Sequence, residues 1–502
     1  LSITKYSTAH LLFYFGFACF LFGLPISKII LSVSQFIMAA AWLLEANYKQ
    51  RILAALKNKF FIAFAIIYLI HLLGLAYTEN WIYAFKDIRI KLPLVIVPFI
   101  YAGFKEPDRQ IKKYLLYSFI GGLVISGLIT LVVFLGLTNH TVQDVRKLNP
   151  LLSHIRFSIL LVIGFIVLVY QYINTKQKGY LFISLFFLII LFLIKSLTGW
   201  FLLFLAALFS LTKLSVKLRY SILFFLIVIG TGITIYLIKF YKSHFTLNDI
   251  HLNKTETNTP LLSNEIENGN YVWQNVKENE LKKQWELRST VPYNGYDRLK
   301  QPIRNTLVRY LTSKNLSKDS AGISQLTIYD IYNIENGFPN YRYTNPISLD
   351  YKLYQLMYEV HLFLNGIIAD KQSLTLRIVY AKIGLLIWKE NLWMGVGTGD
   401  VQDAFNWKYE YFNLPLSSQC RLRAHNQFIT FGLSFGILGF LIIVSLLFSL
   451  YRNTTFVFRL VYSLLLLSFL NEDTLESQVG VSMFVGVILF FYWFCNTKNQ
   501  TT

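Results

Sequence analysis

Charge and cysteine are what this sequence has least of. Of 502 residues only 15% are charged, the acids (27) are far fewer than the bases (47), and there are 3 cysteines. So few charged side chains cannot cover a water-soluble protein of this length, and so apolar a chain is not disordered either. Cys19 and Cys495 lie inside apolar runs, which leaves Cys420 alone in polar sequence. Neither a disulfide framework nor a structural zinc cluster is open to such a set. What abounds instead is apolar: 55% hydrophobic and 17% aromatic residues, a mean hydropathy of +0.47, and runs such as YLFISLFFLIILFLI at 180–194. That is a membrane composition.

Stretches suited to a hydrocarbon core lie at 9–25, 28–46, 60–78, 91–104, 112–137, 153–173, 180–194, 199–212, 220–239, 426–450, 456–470 and 477–496. The pattern predicts an all-α polytopic membrane protein of about 12 transmembrane helices. The fourth, seventh, eighth and eleventh stretches are short, and a re-entrant or tilted element is the alternative for each. The first has no small-residue cleavage pattern and is expected to stay as a span. Charge gives an independent check on orientation. Lys49, Arg51, Lys57, Lys59, Lys105, Arg109, Lys112, Lys113, Lys176, Lys178, Lys213, Lys217, Arg219, Arg452 and Arg459 fall on one side; Lys86, Arg89, Lys91, Arg146 and Lys147 fall on the other. The loop 471–476 holds three acids and no base, which puts it outside and both termini in the cytoplasm. The formal net charge of +20 is therefore largely topological and needs no nucleic-acid partner.

Three parts are expected: a bundle over 1–240, an outer loop domain over 241–425, and the last spans with a cytoplasmic tail over 426–502. A loop of such length is functional or irregular. The Asn-, Thr- and Glu-rich start, 249–275, reads as irregular, whereas Thr327 followed by Asp330 reads as a helix start. Apolar residues recur at three and four over 349–365 and 374–388, predicting two amphipathic helices over the membrane face. No internal repeat of fixed period is present.

The densest functional signal runs from Arg377 through NLWMGVGTGD (391–400) to RLRAHNQ (421–427). Glycines at 395, 397 and 399 permit a tight turn or close approach to a ligand; they have the wrong spacing for a dinucleotide fingerprint, and a plain glycine turn is the competing reading. His425, beside Arg421 and Arg423, is expected to carry a neutral imidazole near pH 7, as a general base requires. Arg377, Arg421 and Arg423 have the fork geometry for phosphate or pyrophosphate. The bland alternative is that His425 caps the tenth span and the arginines meet lipid headgroups. His154 and Arg156 open the sixth span and Lys195 closes the seventh, positions where a charge either snorkels or lines a hydrated cavity. The acids at 472–476 either pair with the arginines or form a solvated outer loop. No pair of loop histidines shows metal-ligand spacing, so no metal is expected.

In order along the chain, Arg377 and Trp388, GVGTGD at 395–400, AHNQF at 424–428 and a span with Gly432, Gly436 and Gly439 resemble the O-antigen ligase-like family of lipopolysaccharide ligases, polysaccharide polymerases and protein oligosaccharyltransferases. RYLTSKNLSK (309–318) and DTLESQVG (473–480) are similar to the variant of Bacteroidetes-type bacteria. The resemblance implies a GT-C-like membrane glycosyltransferase of the inner membrane. Such an enzyme moves a glycan from undecaprenyl diphosphate to lipid A-core, protein or growing polysaccharide at the periplasmic face. It also implies inversion and no cofactor, nucleotide sugar or metal. On this resemblance His425 activates the acceptor hydroxyl and Arg377 binds the carrier pyrophosphate, with Arg421, Arg423, Arg156, Lys195 and His154 as further substrate-binding candidates. Many members carry a second arginine in a Ser-Arg motif where this chain has Ser196, Leu197, Thr198 and Gly199; Lys195 or Arg156 stands as its replacement. A transporter or flippase of lipid-linked sugars is the reading from another class; neither paired broken helices nor an inverted repeat speaks for it.

Overall fold

Backbone in hydrocarbon must satisfy its own N–H and C=O groups, and all twelve apolar stretches accordingly contain helix. The computed structural model describes residues 6–138, 147–246, 266–344, 348–368, 370 and 374–495; the readings of Arg146 and of 249–265 fall outside these. Among the described residues six helices are long and apolar enough to cross a membrane, and five more apolar helices are shorter.

The described chain falls into two compact units, Leu1–Lys213 with Arg377–Thr502, and Leu214–Leu376. The first begins with α1 (Thr8–Gly23), α2 (Lys28–Leu44), α3 (Tyr48–Lys57) and α4 (Lys59–Leu73), followed by α5 (Trp81–Lys91) and α6 (Pro93–Ala102). The stretch expected as a span at 91–104 is α6, whose ten residues rise only about 15 Å. It continues α5 across Leu92, because Pro93 has no N–H to carry the helix through. Next come α7 (Arg109–Phe134), α8 (His154–Thr175), α9 (Lys178–Leu193) and α10 (Leu197–Ser210). Polar side chains set the starts: Asn58 accepts from the N–H groups of Phe60 and Phe61, Asp108 from Ile111, and Ser196 from Gly199.

The second unit holds α11 (Val216–Phe245), the hairpin β1 (Ile266–Glu267) and β2 (Asn270–Tyr271), and α12 (Glu278–Glu286), α13 (Ile303–Ser313), α14 (Ser320–Ser324), α15 (Ile328–Glu335) and α16 (Leu349–Leu364). Trp285, Ile303, Leu307, Tyr310 and Leu311 fill its core. The Thr327 and Asp330 signal is a capping box that starts α15, and α16 follows the expected periodicity. None of the most hydrophobic window of α11 is buried, which suits a helix facing lipid all round.

The chain then returns to the first unit with α17 (Thr375–Glu390), α18 (Val401–Tyr411), α19 (Gln427–Ser449), α20 (Phe456–Ser468) and α21 (Gln478–Cys495). Within the core α21 is the most enclosed span, with 78% of its window buried. A break interrupts α19 at Gly436, where φ is +64° and ψ −170°. Such a conformation belongs to glycine alone. The break frees backbone groups that 392–397 takes up: Val396 N–H donates to Leu433 O at 2.8 Å, Gly397 N–H to Ser434 O at 3.0 Å, and Ile437 N–H to Leu392 O at 2.7 Å. A Cβ on Gly395 would lie 2.3 Å from the Ser434 carbonyl carbon, and one on Gly436 2.1 Å from Trp393 O. The glycine turn is thus a structural joint that repairs a broken helix, the simpler of the two readings offered for it.

Candidate functional site

Between α18 and α19 the chain reaches His425 in the left-handed region, φ +50°. The next residue, Asn426, caps α19 by accepting from Phe428 and Ile429, so His425 is not the cap and its ring is available for other work. Asp473 holds the backbone in this shape: one carboxylate oxygen accepts the His425 N–H at 2.9 Å and the other accepts Thr430 Oγ at 2.8 Å. Burial, with Glu476 nearby, pushes Asp473 up to about 6, against the pull of Thr430 and Arg423.

The imidazole lies beside the Tyr380 ring, 5.8 Å between centroids, and its Nδ1 is 4.0 Å from Glu472 Oε2. Burial lowers the His425 pKa; Glu472 opposes the shift and Arg377 adds to it. The ring is therefore neutral at pH 7, and still 28% exposed. Nδ1 is the ring nitrogen that faces Glu472, which leaves Nε2 clear of that carboxylate.

The loop from Asn471 to Glu476 gathers the cations. Arg377 donates to Asn471 Oδ1 at 2.6 Å, and Asn471 in turn donates to Thr198 Oγ at 2.5 Å. Arg156 donates to Glu472 Oε1 at 3.1 Å. Arg423 donates to Glu476 Oε2 at 2.9 Å and lies over the Tyr83 ring, while Lys91 reaches Glu476 at 3.2 Å and Asp87 at 2.6 Å. Burial alone would raise Glu476; Lys91 and Arg423 overcome it and hold the carboxyl down at about 2. Glu472 and Glu476 are thus partners of arginines and Asp473 of His425 and Thr430, so the acids at 472–476 are not a solvated loop.

One loop therefore ties His425, Arg377, Arg156 and Arg423 together. Arg421 is held elsewhere: it pairs with Glu410 at 3.1 Å and donates to Leu416 O, so the three arginines do not share one orientation. Lys195 sits half-buried in a left-handed turn before α10, φ +47°, and His154 is the first residue of α8. At the place of the expected Ser-Arg pair, Ser196 caps α10 and Thr198 anchors Asn471. The sequence reading took Asp473 only as one acid of the 472–476 loop, Lys91 only as a topological charge and Thr198 only as a neighbour of the missing arginine, and it passed over Asp87, although an acid and a base four apart, Asp87 and Lys91, are a legible signal of a buried pair.

No curated protein matches the chain. A family model described as O-Antigen ligase matches residues 343–444, the segment that holds Arg377, the glycine turn, Arg421, Arg423 and His425. Over those residues, which carry His425 and its neighbouring arginines, the sequence is similar to the O-antigen ligase family.

Proposed function

We propose that the protein is a metal-independent, inverting membrane glycosyltransferase of the O-antigen ligase or polymerase type. It takes a glycan from undecaprenyl diphosphate and passes it to lipid A-core, protein or growing polysaccharide. The observation that carries this reading is the pairing of a neutral, partly exposed His425 with Arg377 across Asn471 and Glu472. In the step itself an acceptor hydroxyl oxygen attacks the anomeric carbon, and the bond from that carbon to the phosphate oxygen breaks. The hydroxyl proton goes to His425 Nε2, and the electron pair leaves with the diphosphate. Arg377 stabilises the charge that grows there; Arg156 shares Glu472 with the histidine and is the better placed substitute for the absent arginine. Arg423, Lys195 and His154 are assigned to the donor's surroundings, and Arg421 to the rim.

The same reading puts the protein in the inner membrane with twelve crossings, a GT-C-like architecture, both termini cytoplasmic and 241–425 periplasmic. A deletion strain complemented with wild type, His425→Ala or Arg377→Ala, at equal membrane abundance, provides the test. Each variant is expected to lose transfer by about 100-fold or more. Full-length glycan stranded on the carrier identifies a ligase, single repeat units a polymerase. Unchanged lipid-linked and surface pools in both variants would remove the enzyme reading in favour of transport.

A further inference from the structure

The glycine turn that repairs α19 also walls an open cleft of about 650 Å³, within the first unit, whose floor is fixed and whose rim presents exposed acceptors. Asp400 accepts from Thr78 Oγ at 3.1 Å and from the backbone N–H groups of Glu79 and Asn80 at 2.8 and 2.7 Å. Asn80 Nδ2 donates to Asp403 Oδ2 at 2.7 Å, and the Tyr77 hydroxyl donates to Met394 O at 2.7 Å. These bonds need no ligand to form, so the cleft is shaped in advance.

Among the described residues, the Glu79 carboxylate, Asp403 Oδ1 and Asn391 Oδ1 accept no hydrogen bond, although all line the cleft. Trp407 contributes its indole and is 57% exposed. Tyr411, stacked at 5.2 Å, and Lys408, 4.6 Å from the ring centroid, brace the indole in place; Lys408 is itself tied to Glu390. A preset aromatic surface beside several free acceptors fits a sugar: the ring covers C–H groups while carboxylate and amide oxygens accept from hydroxyls. No basic side chain lines the cleft, and three carboxylates do. It therefore repels the diphosphate that the arginines around His425 attract.

We propose that this cleft binds a saccharide of a few residues, uncharged or amine-bearing, at a place separate from the diphosphate. The assignment rests on the glycan-transfer reading and names a substrate part that His425 and Arg377 do not contact. Two sources present the same chemistry, the donor's glycan and the acceptor's.

Saturation-transfer NMR on the purified full-length protein in detergent tests it with two probes. One is the saccharide released by mild acid from the strain's lipid-linked pool, the other the saccharide released from its lipopolysaccharide core. Wild type and His425→Ala are expected to bind one of them, and Trp407→Ala and Asp403→Asn, both changes at exposed side chains, to bind it at least about tenfold more weakly. The probe that binds identifies the source. Three results overturn the proposal: neither probe binding wild type, equal binding by both cleft variants, or Trp407→Ala lowering only membrane retention, which would make Trp407 an interfacial anchor. Failure of the transfer reading is seen separately, as unchanged lipid-linked pools in the His425→Ala strain.

Discussion

Glu472 faces two ways, toward Arg156 through one oxygen and toward His425 through the other. It does not reach hydrogen-bonding distance of the imidazole, so it acts on the ring through charge and orientation. Because Glu472 raises the His425 pKa and Arg377 lowers it, their removal moves the acid limb of the pH profile in opposite directions. A general base works unprotonated, and its activity disappears as pH falls through its pKa. Glu472→Gln should shift that limb to lower pH and Arg377→Gln to higher pH, in transfer measured on isolated membranes. A histidine with a purely structural part would leave both limbs where they are. At this scale the sequence was partly legible. His425, Arg377 and Arg156 stood out as polar groups at the ends of apolar runs, whereas the roles of Thr198 and Asp473 depend on approaches between segments far apart in the chain, which no local pattern encodes.

At the scale of elements, hydropathy located the apolar helices because it measures what their surfaces meet. It was blind to interruptions within them. Thus α5 and α6 were read as one short span preceded by loop, when they are two helices parted at Leu92 ahead of Pro93, and α3 was not foreseen. The break in α19 is a similar case: three glycines were visible, but the strand of backbone that completes the helix comes from 392–397. Gly436→Ala places a Cβ 2.1 Å from Trp393 O in a conformation only glycine adopts. The strain alone costs about 1–3 kcal/mol, and the overlap adds to it. Membrane abundance of this variant should fall sharply, while Gly121→Ala, whose Cβ meets no atom within 4 Å, should accumulate normally. Equal abundance on immunoblots would mean that α19 tolerates an unbroken form.

For the whole molecule, the topology read from charge makes a claim that single-cysteine labelling can check. With Cys19, Cys420 and Cys495 replaced, a cysteine at Tyr329, 79% exposed, should react with an impermeant reagent from the periplasm, and one at Lys176 only after the inner membrane is opened. The reverse pattern would invert the orientation and place the proposed transfer on the wrong face for a periplasmic acceptor. The loop from Asn471 to Glu476 bears on the molecule in another way, through the order in which the chain is made. It is translated after every cation it holds: Lys91, Arg156, Arg377 and Arg423 all precede it. Until residue 476 emerges, those side chains have no counterpart from this loop, and an uncompensated buried charge is among the most destabilising features a protein can carry. Lys91 has Asp87 as an earlier partner, but the pairs of Arg156 with Glu472 and Arg423 with Glu476 are among the last contacts this bundle can form. A nascent chain that stalls before the acidic loop leaves Arg156 and Arg423 without the carboxylates that pair with them in the finished fold.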